Sequence, residues 1–161
     1  MHIVTLLKQN PPLCHIEGGS KKRLFQILAE TLSQQYPDLT QDAIFEGLTR
    51  REKLGSTGIG NGVAIPHCRS AGCAQLIAQV ATLAEPIEYD AMDGRAVDIV
   101  FLLIAPVEHC QEHLDALAQI AHFFEDAAVR LKLRKAKTRG ELLDIALRMA
   151  ERAPQKSPIH L

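Results

Sequence analysis

Apolar positions in this chain recur first at helical spacing, then in unbroken runs, then at helical spacing again. Ser20 reads as an N-cap, and Leu24, Phe25, Ile27, Leu28 and Leu32 follow it on one helical face until Pro37 ends the pattern. A second helix is predicted to start near Thr40, bury Ile44, Phe45 and Leu48, and stop at Gly55. The pattern then shortens into runs. Val63-Ala64-Ile65, the segment Leu76 to Leu83, and the near-continuous Val97 to Ala105 each read as strands. A near-continuous run like the last of these belongs at the centre of a sheet covered on both faces. Asp93-Gly94 marks a turn before it, and Pro106 closes it.

Beyond Pro106 the helical period returns. Leu114, Leu117, Ile120, Ala121 and Phe124 fall on one face of a helix from about residue 110 to 125. A shorter basic segment covers 127 to 135. Thr138 and Glu141 then form a capping-box pair ahead of Leu142, Leu143, Ile145, Ala146 and Met149. Residues 1 to 19 carry scattered apolar positions broken by Pro11-Pro12, which predicts short edge segments. Residues 153 to 161 contain two prolines and predict a flexible C-terminal tail. Helices, then several strands, then helices give an α/β fold: one domain over 1–152, a sandwich of one mixed β-sheet flanked by helices.

Composition narrows the function without naming it. The 161 residues suffice for a core without staples, and 47% hydrophobic content with a net charge of -1 fits an ordinary globular protein. Neither balance points to nucleic acid or to an acidic substrate. No apolar run approaches the ~20 residues that span a bilayer, and the N-terminus lacks a signal pattern, so a cytoplasmic protein without membrane insertion is expected. Cys14, Cys68, Cys73 and Cys110 show no framework spacing and are expected to be reduced thiols, mostly buried.

Three features carry candidate chemistry. The first is Arg50 to His67, with four glycines among positions 55 to 62, a short apolar run, then Pro66-His67. Pro66 disfavours the helical region for Ile65, which keeps the run extended and delivers His67 at the rim of a sheet. A neutral imidazole there can accept and release a phosphoryl group, and the glycines are expected to offer unpaired N–H groups and room for a phosphate. The plain alternative is a histidine satisfied in a turn. Because the glycines precede a strand and no Gly-Lys-Ser/Thr follows, neither nucleotide-loop motif applies.

The second feature is His109-Cys110-Gln111-Glu112-His113, which spells the inverted zinc-peptidase motif. It supports an alternative, a small zinc hydrolase using His109 and His113, although no third ligand is evident and a polar helix start explains the same residues. The third is Arg130, Lys132, Arg134, Lys135, Lys137 and Arg139. They read as a docking patch or as a solvated helix face. Without interleaved aromatic residues the second reading is preferred.

From Thr49 through Gly62-Val63-Ala64-Ile65-Pro66-His67 the chain resembles the enzyme IIA domain of the fructose/mannitol class (type 2) of the bacterial phosphoenolpyruvate-dependent phosphotransferase system. Arg-Glu-Lys-x-Gly-Ser-Thr-Gly-Ile-Gly-Asn-Gly is most similar to its nitrogen-regulatory branch. The resemblance implies that His67 is phosphorylated by a histidine-phosphorylated carrier protein. It further implies that His113 is a second active-site histidine, that Arg51 lies beside the phosphate, and that neither cofactor nor metal takes part. Phosphoryl transfer needs positioning and neutralisation of the equatorial oxygens, which an imidazole N–H and a guanidinium supply. The chain departs from the family after the histidine, where Cys68-Arg69 replaces the usual glycine and frequent lysine. A side chain there is expected to narrow the donor's approach. The chain's length favours a free-standing regulator, controlling targets by its phosphorylation state, over a sugar-transport component.

Overall fold

A computed structural model describes residues 2–108 and 110–152, with Cys110 described by its backbone alone. In chain order the elements are helix α1 (Ile3–Lys8), strand β1 (Leu13–Ile16), helices α2 (Lys21–Gln35) and α3 (Gln41–Lys53), strands β2 (Gly58–Gly60), β3 (Val63–Ala64), β4 (His67–Arg69), β5 (Ile77–Ile87) and β6 (Val97–Ala105), and helices α4 (Cys110–Phe123), α5 (Ala127–Lys135) and α6 (Arg139–Arg152). The tail expected at 153–161 lies outside the described residues.

β6 is the axis of the sheet because both of its faces are apolar. Ile99, Phe101, Leu103 and Ala105 face one core, shared with α1, α4, α5 and α6. Val100, Leu102 and Ile104 face the other, shared with α2 and α3. Burial of both faces removes the alternation expected of a half-exposed strand, which is why the sequence run is continuous. The strand order is β1-β5-β6-β3-β2, with β4 also paired to β6. β5 runs antiparallel to β6, whereas β3 and β4 are parallel to it, so the sheet is mixed as predicted.

β3 and β4 are two parts of one extended segment. Val63 and Ala64 pair with Ile99 and Val100, and His67 resumes the same register opposite Leu103. Pro66 interrupts the ladder because it has no N–H to donate, yet its carbonyl still accepts from Leu103 N at 3.0 Å. The strand is therefore carried past Pro66, with His67 opening its second part.

Helix boundaries follow local chemistry. The Ser20 hydroxyl accepts from Arg23 N and that of Thr40 from Ala43 N, each satisfying one orphan N–H of the first turn. At the end of α3 the chain turns through Gly55, whose φ of +152° suits glycine. The N-terminal segment departs from expectation in part: β1 is an edge strand, but residues 3–8 form a helix whose Ile3, Leu6 and Leu7 are buried in the core on the α6 side.

Candidate functional site

His67 lies where the sheet changes width. β2 continues the sheet beyond β3, while β4 has β6 on one side and no strand on the other among the described residues. Parallel pairing turns the His67 side chain to the same face as Leu103, towards α4, and Cys68 to the opposite face with Ile104. The His67 ring is half-buried, and its Nδ1 lies 2.7 Å from the carbonyl oxygen of Ile65. A carbonyl only accepts, so Nδ1 carries the proton, and the lone pair of the neutral ring resides on Nε2. Burial holds the pKa below its ordinary value; the Ile65 carbonyl opposes that, the Arg51 charge adds to it, and Glu52 opposes it. At neutral pH the ring is a neutral nucleophile.

α4 brings His113 against this ring, centroids 5.4 Å apart and planes at 74°. His113 is only 5% exposed, and neither of its nitrogens has a hydrogen-bond partner. Burial, then the charges of His67 and Arg69, push its pKa down to about 4. A buried polar ring left bare costs roughly 1–3 kcal/mol.

Around the two rings opens a groove of about 400 Å³ lined by Arg50, Arg51, Leu54, His67, Arg69, His113 and Leu114 among others. Arg51 comes from the last turn of α3, and its Nη1 donates to Gly55 O at 2.8 Å. Arg50 and Arg69 are exposed, and among the described residues none of the three guanidiniums is ion-paired. Leu54 and Leu114, 82% and 55% exposed, give the rim an apolar component. The arrangement offers one nucleophilic nitrogen, a neighbouring imidazole and uncompensated positive charge. It can hold a tetrahedral dianion in transit.

The glycine run does not cradle this site: Gly60-Asn61-Gly62 is the tight turn between β2 and β3, and five residues of extended chain, ~16 Å, separate Gly62 from His67. Its groups are engaged locally, Asn61 N with Asp93 at 2.9 Å and the Gly62 carbonyl with Asp98 N and Ile99 N. Cys68 lines the groove together with His67, from the α3 side. Its side chain packs against α3, where a Cβ on Gly47 would stand 2.8 Å from the Cys68 Sγ, and burial pushes its thiol up to about 12. The apolar face expected for α4 holds at Leu117, Ile120, Ala121 and Phe124, whereas Leu114 is exposed at the groove and His113, Ala116 and Phe123 join the buried face.

The zinc reading gains no support. His109 lies outside the described residues, and among those described no group of three His, Cys, Asp or Glu side chains could hold a metal ion. Half of the basic run is engaged within the fold: Arg134 pairs with Asp98, Arg130 donates to the Phe124 and Glu125 carbonyls, and Arg139 to that of Pro12. Sequence reasoning passed over Glu52, the residue after Arg51, whose buried carboxylate accepts from Lys21 and Thr57. Lys21 lies 31 residues away in the chain, and nothing in the sequence announces that pairing.

Over residues 6–148 the chain matches the family described as "Phosphoenolpyruvate-dependent sugar phosphotransferase system, EIIA 2". A nitrogen regulatory protein of Pseudomonas aeruginosa is 44% identical over 142 residues, spanning 88% of this chain and 92% of that protein. Another, from Bradyrhizobium diazoefficiens, is 39% identical over 137 residues, 85% of this chain and 89% of that protein. The crystal structure of nitrogen regulatory protein IIA-Ntr from Neisseria meningitidis superposes with a TM-score of 0.82 at 38% identity, covering 89% of this chain and 98% of that one. No helix among the described residues is long and apolar enough to cross a membrane. Sequence match and fold agree over the same span, and the chain belongs to the type 2 enzyme IIA family of the phosphoenolpyruvate-dependent phosphotransferase system, alongside the nitrogen regulatory proteins.

Proposed function

We propose that this chain is a phosphoryl-accepting relay with a regulatory output, in which His67 takes a phosphoryl group on Nε2 from a histidine-phosphorylated carrier protein. Members of its family act as phosphoryl-transfer proteins. The observation that carries the reading is the hydrogen bond from His67 Nδ1 to Ile65 O, which leaves Nε2 as the nucleophile beside a buried, unpartnered His113. In the transfer, the Nε2 lone pair forms the new P–N bond as the bond to the donor's ring nitrogen breaks. The donor ring, protonated on its other nitrogen, leaves as neutral imidazole. The His67 ring becomes a phosphorylated imidazolium whose Nδ1–H still donates to Ile65 O, so charge and protons balance.

In this reading His113 donates an N–H to one equatorial oxygen and Arg51 neutralises another, both acting where charge is held rather than as bases. Leu54 and Leu114 supply apolar contact for the donor's surface. The product adds about two negative charges to a groove that was positive, and a target that prefers one form responds to the phosphorylation state. Incubation with phosphoenolpyruvate, the first enzyme and the carrier, followed by intact mass, is expected to show one added phosphoryl group on the wild type and none on His67→Ala. Label persisting in His67→Ala would place the acceptor elsewhere.

A further inference from the structure

We propose that Glu52 is a positioning residue for the transfer, holding Arg51 and His67 in fixed relation through one buried carboxylate. This rests on the reading of His67 as acceptor. The Glu52 side chain is 7% exposed. Thr57 N donates to its two oxygens at 3.1 and 3.2 Å, Thr57 Oγ1 donates to Oε2 at 2.6 Å, and Lys21 Nζ donates to Oε1 at 3.0 Å. The Thr57 hydroxyl has one proton and gives it to the carboxylate. It therefore accepts from the buried Tyr89 hydroxyl, 2.8 Å away, which fixes the direction of the whole chain of bonds.

Two branches leave this carboxylate for the site. On one, Thr57 O accepts from Ile65 N at 3.0 Å, and Ile65 O receives the Nδ1–H of His67 at 2.7 Å. On the other, Arg51 precedes Glu52 in the last turn of α3, and its Nη1 donates to Gly55 O inside the turn that Glu52 closes. Moving the Gly55–Thr57 turn away from the end of α3 would shift guanidinium and imidazole relative to each other.

The residue type is costly at this position. A carboxylate in the last turn of a helix opposes the helix dipole, and a buried charge needs partners to be tolerated. A neutral side chain would end the helix with less difficulty. What the carboxylate adds is convergence: donors from α2 and from the turn meet on two oxygens with defined directions.

The test is a double-mutant cycle on transfer from the phosphorylated carrier, with Glu52→Gln, Arg51→Ala and the double variant. Glu52→Gln is expected to lower kcat by about tenfold or more, since a displacement of about 1 Å can cost up to ~10² in rate. KM for the carrier should stay within about twofold, because the rim that meets the donor is untouched. In the Arg51→Ala background Glu52→Gln should cost less than it does in the wild type, because only the His67 branch is left to disturb, a coupling that a purely structural residue would not show. Should Glu52→Gln fold poorly, Tyr89→Phe in the same cycle removes the donor to Thr57 and is expected to give a smaller, equally coupled loss. Wild-type kcat in the folded single variant, or a loss that adds in full to that of Arg51→Ala, overturns the role. Absence of label on wild-type His67 overturns the acceptor reading itself, and this role with it.

Discussion

Replacing His113 by leucine should make the unphosphorylated protein more stable and the transfer much slower. The ring is 5% exposed and both nitrogens lack partners, so the fold carries the desolvation of an imidazole without return. A side chain of similar volume with no polar atoms removes that cost, about 1–3 kcal/mol, and leucine also suits a helix better. For a domain of this size that is a rise of ~2–12 °C in Tm, at about 2–4 °C per kcal/mol. The pH dependence should change as well. The free ring titrates at 6.5 and the folded one at about 4, so between those values the unfolded chain binds a proton that the folded chain does not. Stability is therefore full above 6.5 and declines as pH falls towards 4, and His113→Leu removes its share of that decline. His67, shifted in the same direction, retains its own. Losing one donor to the phosphoryl group should slow phosphorylation on the order of 10² to 10³, with the label still on His67. Thermal unfolding at pH 7 and pH 5, with initial phosphorylation rates, measures all three. A variant that is less stable at pH 7 yet phosphorylated at the wild-type rate would refute the reasoning.

Gly62→Val should damage the fold and leave the chemistry of folded molecules intact, because φ is +81° and a Cβ would strike the Arg134 guanidinium and stand 3.0 Å from Asp98 Oδ1. A Tm loss reflecting on the order of 1–3 kcal/mol is expected, with the rate per folded molecule unchanged; a rate loss without a Tm loss would return the glycine turn to the site. Leu114→Asp places a charge on the exposed rim beside Arg69 and should raise KM for the carrier with kcat maintained; an unchanged KM would remove Leu114 from the donor's footprint.

The axis of the fold was legible because its pattern had one reading. Val97–Ala105 is apolar at every position but Asp98, and the structure buries both of its faces; Ser20 and Thr40 were legible as caps because their hydroxyls have a single nearby use. The edge of the α4 stripe was not. Leu117, Ile120, Ala121 and Phe124 pack on the core as their spacing predicts, but periodicity does not distinguish a leucine at the margin of the stripe that faces the core from one that faces solvent, and Leu114 is exposed while the neighbouring His113 is buried edge-on against His67. The glycines were read correctly as backbone devices, but the place of Gly60 and Gly62 was wrong, since the register of β3 against β6 puts them at the opposite end of the strand from His67. The Glu52 network was invisible because it joins α2, α3, the turn and Tyr89 only after folding.

The central claim is that the Ile65 carbonyl fixes the His67 tautomer and so selects the phosphorylated nitrogen. Long-range ¹H–¹⁵N correlation spectra of the phosphorylated protein, with ³¹P coupling to the ring nitrogens, read that directly. Phosphorus on Nε2 of His67, with Nδ1 still protonated before and after transfer, is the expected result. Phosphorus on Nδ1, or on any residue other than His67, would contradict it.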